Sequence, residues 1–285
     1  MKLWYQVATP EVARSGKVTA YQGPLENTLC RLKDIGYDGV EFMTVDPGRL
    51  DWSEVKALLA QTGMAATIVC TGEVFGQLRL SITDPDSSIR RDAEDRVKEI
   101  IAFAGVLGAN INIGRVRGSY RDGIAKEQTE EWAIEACRDI SEYAAERKVS
   151  IALEEVCFEE TNFINTLAQA REFMKRVNRS NFRLMMDVFH MHIEEKSIEE
   201  GLREYTKDTI NIHLADSNRK YPGQCALNFD NIVRTCVESG YHGPFCTEIF
   251  QYPDMDTAAV RSYAHLGPLF EKYYGRARWR IKDDK

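Results

Sequence analysis

The chain has no apolar run long enough to span a bilayer, and no signal-peptide pattern follows its opening Met1-Lys2-Leu3-Trp4. It has no CxxC pair either. Its seven cysteines (Cys30, Cys70, Cys137, Cys157, Cys225, Cys236 and Cys246) are odd in number and scattered. Reduced thiols in a cytoplasmic protein with no membrane partner are therefore expected. A long basic run is missing, and the net charge is −7. Proteins that grip duplex DNA need a basic face to neutralise phosphates, so no nucleic-acid partner is expected. The nearest basic stretch, 276–282, reads as a solvated or oligomer-contacting terminus. No proline-rich or serine-rich linker divides the chain.

What is present is an alternation. Short apolar, β-branched runs fall at 3–7, 39–43, 66–70, 110–113, 149–154, 183–187, 210–214 and 245–249. Most lack the in-out alternation of a half-solvated strand, which is the pattern of strands buried on both faces. Helical stretches separate them, at 25–35, 52–61, 93–107, 129–146, 166–177, 198–205, 229–239 and 258–273. Strand and helix in alternation predict a parallel sheet with right-handed crossovers. Eight such units in 285 residues fit one (β/α)8 TIM barrel, an α/β fold of roughly 250 residues. The predicted domain is the whole chain, 1–285, with 275–285 as a tail that includes Trp279. Gly36-Tyr37-Asp38-Gly39 and Gly240-Tyr241-His242-Gly243 each stop a helix just before a strand, and Gly108 does the same. The longest non-repetitive connection, 71–92, follows the third strand, where a lid or specificity loop competes with a plain surface excursion.

Four polar residues end or immediately follow four successive strands: Glu154, Asp187, His213 and Glu248. Each lies about one βα unit from the next, which places all four at one end of a barrel. Alone, an Asp or Glu after a strand is often only a helix N-cap. As a set, three carboxylates and an imidazole converging on a buried rim repel one another unless a cation joins them. Carboxylate oxygen with imidazole nitrogen suits Mn2+, Co2+, Mg2+ or Zn2+, and three carboxylates lean towards the harder ions. Mn2+ is the first choice, with Co2+ or Mg2+ as alternatives. Glu154 and Glu248, on the fifth and eighth predicted strands, also suit a proton-transfer pair beside a polarised carbonyl. His190, Arg219 and Glu160 follow the same strand ends, and a histidine and an arginine can hold sugar oxygens. Asp216 and Asn218 are candidate partners behind the ligands. Cys157 lacks an evident histidine partner, which argues against a catalytic thiol.

The stretches Glu160-Thr161-Asn162-Phe163-Ile164-Asn165-Thr166, Asp187-Val188-Phe189-His190-Met191-His192 and His213-Leu214-Ala215-Asp216-Ser217-Asn218-Arg219, the last followed by Pro222-Gly223, carry a resemblance. Over nearly its whole length the chain resembles the xylose isomerase-like TIM-barrel sugar isomerases and epimerases, in particular the ketose 3-epimerase group. The resemblance implies metal binding by Glu154, Asp187, His213 and Glu248, with Glu154 and Glu248 doubling as acid and base. It implies that Glu160, His190 and Arg219 bind substrate oxygens near the carbonyl. The implied substrate is a small sugar, an unphosphorylated ketose or keto-sugar acid, epimerised at C3 through a metal-bound cis-enediolate. A homodimer or homotetramer is implied as well. An aldose–ketose isomerase, or a lyase acting as a dehydratase or on an oxidised C-glycoside, would fit the same barrel. The family usually reads Pro-Leu-Asn-Arg or Val-Val-Asn-Arg after the first ligand. Here Glu155-Val156-Cys157-Phe158 stands there, so the surroundings of the substrate differ.

Overall fold

The structure, a computed structural model, describes residues 3–275. The basic stretch 276–282 and Trp279 lie outside the described residues. Eight parallel strands close into a barrel in sequence order: β1 (Leu3–Ala8), β2 (Gly39–Met43), β3 (Ala65–Cys70), β4 (Asn110–Ile113), β5 (Ile151–Glu154), β6 (Phe182–Asp187), β7 (Thr209–Leu214) and β8 (Phe245–Thr247). β1 pairs with both β2 and β8, so no edge is left unpaired.

Each strand is followed by helix: α1 (Leu25–Ile35), α2 (Trp52–Thr62), α3 (Gly72–Leu78), α4 (Ser87–Leu107), α5 (Lys126–Ala145), α6 (Leu167–Val177), α7 (Val188–Glu194), α8 (Ile198–Tyr205), α9 (Phe229–Glu238) and α10 (Met255–Tyr274). Local sequence sets their ends. Asp51 accepts hydrogen bonds from the amides of Ser53 and Glu54 to start α2, and Thr166 with Gln169 forms a reciprocal capping box at α6. Gly63 and Gly108 close α2 and α4 in the left-handed conformation. The main core lies between the outer faces of the strands and the inner faces of these helices, and includes Leu29, Val40, Ile100, Phe103, Ile140 and Phe245.

Inside the barrel a separate small cluster, Ile68, Ala152 and Met185, plugs one level of the lumen. Polar side chains lie next to it. Asn211, from β7, donates both to the Met185 sulfur and to a carboxylate oxygen of Glu41. Two register slips shape this layer. β2 and β3 shift between Val40 and Phe42, with the extra residue in β3, opposite Glu41. β6 and β7 shift between Leu184 and Met185, after which Met185 pairs with Asn211 and Asp187 with His213. Because side chains alternate along a strand, a one-residue slip decides which face a side chain occupies.

The segment 71–92 is not one long loop. It holds α3 and the first turns of α4. The α3 sequence, Gly-Glu-Val-Phe-Gly-Gln-Leu, carries two glycines and spans only seven residues, so propensity alone does not mark it. α7, equally short, was also absent from the helices expected of the sequence.

Candidate metal centre and active site

The carboxyl ends of β5 to β8 bring Glu154, Asp187, His213 and Glu248 to one point. One donor atom from each lies within 4.8 Å of all the others, and all four residues are buried. His213 Nδ1 faces the other three, at 3.3 Å from Glu154 Oε1, 3.3 Å from Glu248 Oε2 and 3.8 Å from Asp187 Oδ2. Among the described residues neither His213 Nδ1 nor Asp187 Oδ2 has a hydrogen-bond partner, although both atoms are buried. Buried polar atoms are rarely left so. Two orphaned lone-pair atoms among oxygen and nitrogen donors fit a divalent cation. Asp187 also does what a lone aspartate after a strand does: its Oδ1 accepts from the Phe189 amide and caps α7. The N-cap and the ligand position use different oxygens of one carboxylate.

Among themselves the four groups share protons unevenly. Burial pushes the Asp187 carboxyl up to about 7 and raises Glu154 as well. Burial also works against the charge on Glu248, but the His213 imidazole and the Arg219 guanidinium hold it well below the usual carboxylate range. His213, despite a burial that disfavours its charge, is raised by Glu41 and Glu248. Carboxylates in one site with such divergent proton affinities are what acid–base pairs are built from.

The floor of the cluster is held from the other half of the barrel. The Gln6 amide on β1 donates to Glu41 Oε1 at 2.9 Å and to Glu248 Oε1 at 3.0 Å. The Thr19 hydroxyl lies 3.2 Å from Glu248 Oε1 and 3.0 Å from Gln6 Oε1. Asn112 on β4 donates to Glu154 Oε2 at 2.9 Å, while its own Oδ1 accepts from the Thr71 amide. Gly114 leaves the space Glu154 needs, since a Cβ there would meet Glu154 Oε2 at 2.5 Å. Arg117 is buried and donates to four carbonyls, those of Gly114, Glu154, Phe163 and Ile164, which pins the loops after β4 and β5.

A cavity of about 450 Å³ opens above Glu154 and Glu248. His190, Glu160 and Arg219 line it, with Arg115, Lys17, Phe75 and Phe250 around them. Nδ1 of the buried His190 accepts from the Cys157 amide at 3.3 Å, which leaves Nε2 to carry the proton. Burial and then Arg219 hold this imidazole neutral, with a proton affinity well below the ordinary histidine value. Arg219 adopts the left-handed backbone conformation, at φ 55°. Its guanidinium reaches Glu248 Oε2 at 3.2 Å and pairs with Glu160, between the rings of Phe189 and Phe250. Arg115 continues this line, 3.5 Å from Glu160 and 2.6 Å from Glu73 of α3.

Other sequence expectations land elsewhere. Asp216 does not stand behind the ligands. Its carboxylate accepts from the amides of Ser217, Gly223, Cys225 and Leu227 and so folds the loop that carries Arg219. The Asn218 side chain accepts from the Lys220 amide of that loop. His192 is exposed. The Cys157 thiol is buried and pushed up to about 11, mainly by burial, the state of an inert thiol. Gln6, Glu41, Asn112 and Arg115 were not singled out from the sequence. The available signal was a polar residue inside an otherwise apolar strand, as in Leu3–Ala8, Gly39–Met43 and Asn110–Ile113.

A family model described as "Xylose isomerase-like TIM barrel" matches residues 29–268. The chain belongs to this family. Among its relatives, the ketose 3-epimerase of Arthrobacter globiformis is 25% identical over 232 residues, 77% of this chain and 75% of that protein. The 3-dehydro-D-guloside 4-epimerase of Escherichia coli K12 is 25% identical over 223 residues, 74% of this chain and 82% of that one. In fold, a solved L-ribulose 3-epimerase superposes with a TM-score of 0.80 at 22% identity, covering 95% of each chain. Family members similar to this chain thus include sugar 3- and 4-epimerases.

Proposed function

We propose that the protein is a divalent-metal-dependent epimerase of a ketose or keto-sugar acid, acting at the carbon beside the carbonyl. One observation carries this reading. Glu154 and Glu248 flank His213 Nδ1 at the same distance, 3.3 Å, on the floor of a cavity sized for a small ligand. Glu154, Asp187, His213 through Nδ1 and Glu248 would hold the cation, with Mn2+ the first choice and Co2+ or Mg2+ the alternatives. Such a cation polarises a carbonyl and acidifies the adjoining C–H bond.

The chain's own groups do the rest. Glu248, whose charge His213 and Arg219 favour, takes the proton from one face of the substrate, and Glu154, whose proton affinity burial raises, serves the other face; the opposite substrate runs the roles in reverse. Gln6 and Thr19 hold Glu248, and Asn112 holds Glu154, so neither carboxylate swings during transfer. His190, through Nε2–H, donates to a substrate oxygen. Arg219 and Glu160 fix hydroxyls further from the floor and exclude water from the Glu248 side.

Proton NMR in D2O tests the reading, with Mg2+-loaded protein and a panel of ketohexoses and keto-hexonates. Deuterium at C3 together with the inverted sugar is the expected result. Deuterium at C1 or C2 with an aldose product would replace the epimerase with an isomerase. A dehydrated or cleaved product would replace it with a lyase.

A further inference from the structure

The imidazole of His213 has two ends, and only one faces the carboxylate cluster. The other, Nε2, points into the barrel at Glu41, lying 3.1 Å from Oε1 and 3.0 Å from Oε2. Glu41 comes from β2, is fully buried, and belongs to no part of the proton-transfer pair. Its other neighbours are amide donors: Gln6 Nε2 on Oε1 at 2.9 Å and Asn211 Nδ2 on Oε2 at 3.2 Å. Carboxylate oxygens accept, and each oxygen of Glu41 already takes an amide N–H. The histidine nitrogen that meets it must therefore present a proton as well. For the neutral ring that fixes the tautomer: Nε2 carries hydrogen, and Nδ1 has its lone pair on the side where Glu154, Asp187 and Glu248 converge.

We propose that Glu41 is a positioning residue: it locks His213 as the Nε2–H tautomer and orients its Nδ1 lone pair at the metal centre. This rests on the reading of Glu154, Asp187, His213 and Glu248 as metal ligands. The alternative use of the same spot, a second cation between Glu41, His213 and Cys246, is geometrically conceivable because these three groups lie close together. It is disfavoured because Gln6 and Asn211 aim N–H groups at the carboxylate from two sides. Gln6 extends the lock, since one amide nitrogen serves both Glu41 and Glu248 and so ties Glu248 to the group that supports His213.

Glu41→Gln keeps the shape but replaces an acceptor oxygen with an N–H2, which must then confront a donor. Glu41→Ala removes the support altogether. Mn2+ binding to wild type and both variants, measured by equilibrium dialysis with metal analysis well below their melting temperatures, reads the effect. Wild type should bind one ion per chain, and each variant should bind about 10- to 100-fold more weakly, the usual loss when a partner behind a metal-bound histidine is removed. Variants that bind like wild type would overturn the lock and leave the metal centre standing. Failure of wild type to bind Mn2+ would overturn the metal centre and the lock together. The 15N shifts of His213 in Mg2+-loaded wild type give a second readout that needs no variant. A proton on Nε2 and none on Nδ1 is expected, and a proton on Nδ1 would overturn the proposal even if Glu41→Ala failed to fold.

Discussion

Strands β5 to β8 and strands β1 to β4 furnish the same rim with different chemistry. The second half supplies the groups that carry charge to the centre: Glu154, Asp187, His213 and Glu248, one from each successive strand end. The first half supplies what holds them: the amides of Gln6 and Asn112 and the carboxylate of Glu41. The groups of one half are left with orphaned atoms, His213 Nδ1 and Asp187 Oδ2, while both oxygens of Glu41 are taken. A barrel allows this because every strand points alternate residues at one shared lumen, so strands distant in sequence can meet across it.

The largest effects are expected at the two glutamates of the cluster. Glu154→Gln and Glu248→Gln should each lower kcat by about 10³-fold or more, the scale of losing a positioned acid or base. Steady-state rates check this, and a near-normal kcat in either variant would remove the two-carboxylate mechanism. Arg117 belongs to the supporting half, and its loss should act on stability. Arg117→Met leaves four buried carbonyls without their donor and should cost about 3 kcal/mol or more, read as a lower urea midpoint. A midpoint equal to wild type would show that water replaces the guanidinium.

Proton competition sharpens the contrast. Asp187, raised to about 7, and His213, also raised, must both give up protons before a cation can bind. Metal affinity should therefore rise with pH and fall as pH drops below 7, by about tenfold per pH unit for each proton displaced. Isothermal titration with Mn2+ between pH 5.5 and 8 measures the slope, and a flat profile would contradict these assignments. Smaller effects belong to the walls and the packing. His190→Ala should raise KM by about tenfold with the Mn2+ affinity unchanged, as fits a group that holds substrate oxygen. Gly114→Ala should displace the Glu154 carboxylate and lower kcat by a similar factor while the protein stays folded.

The same contrast explains what the sequence made legible. The eight strands showed as apolar runs, and each strand falls on its run, β2 and β4 to the residue. β5 begins at Ile151 rather than 149 because Lys148 turns through the left-handed region and delays entry into the sheet. Glu154, Asp187, His213 and Glu248 stood out because a charge at the end of a buried strand is costly without a partner. Glu41 carries the same charge but sits in the middle of its strand, and what satisfies it, Gln6 and Asn211, lies 35 and 170 residues away in sequence. Nothing local marks such a contact. Arg115 and Glu73 meet only because α3 folds against the loop after β4, and α3 is too short and too rich in glycine to be read in advance.

The most direct test of a metal centre built on the β5–β8 half is anomalous diffraction at the manganese edge from crystals grown with Mn2+. One strong peak is expected, bonded to Glu154, Asp187, Glu248 and Nδ1 of His213, with Glu41 retained on Nε2. A peak on the Nε2 side, between Glu41 and Cys246, or no peak at the cluster at all, would contradict it.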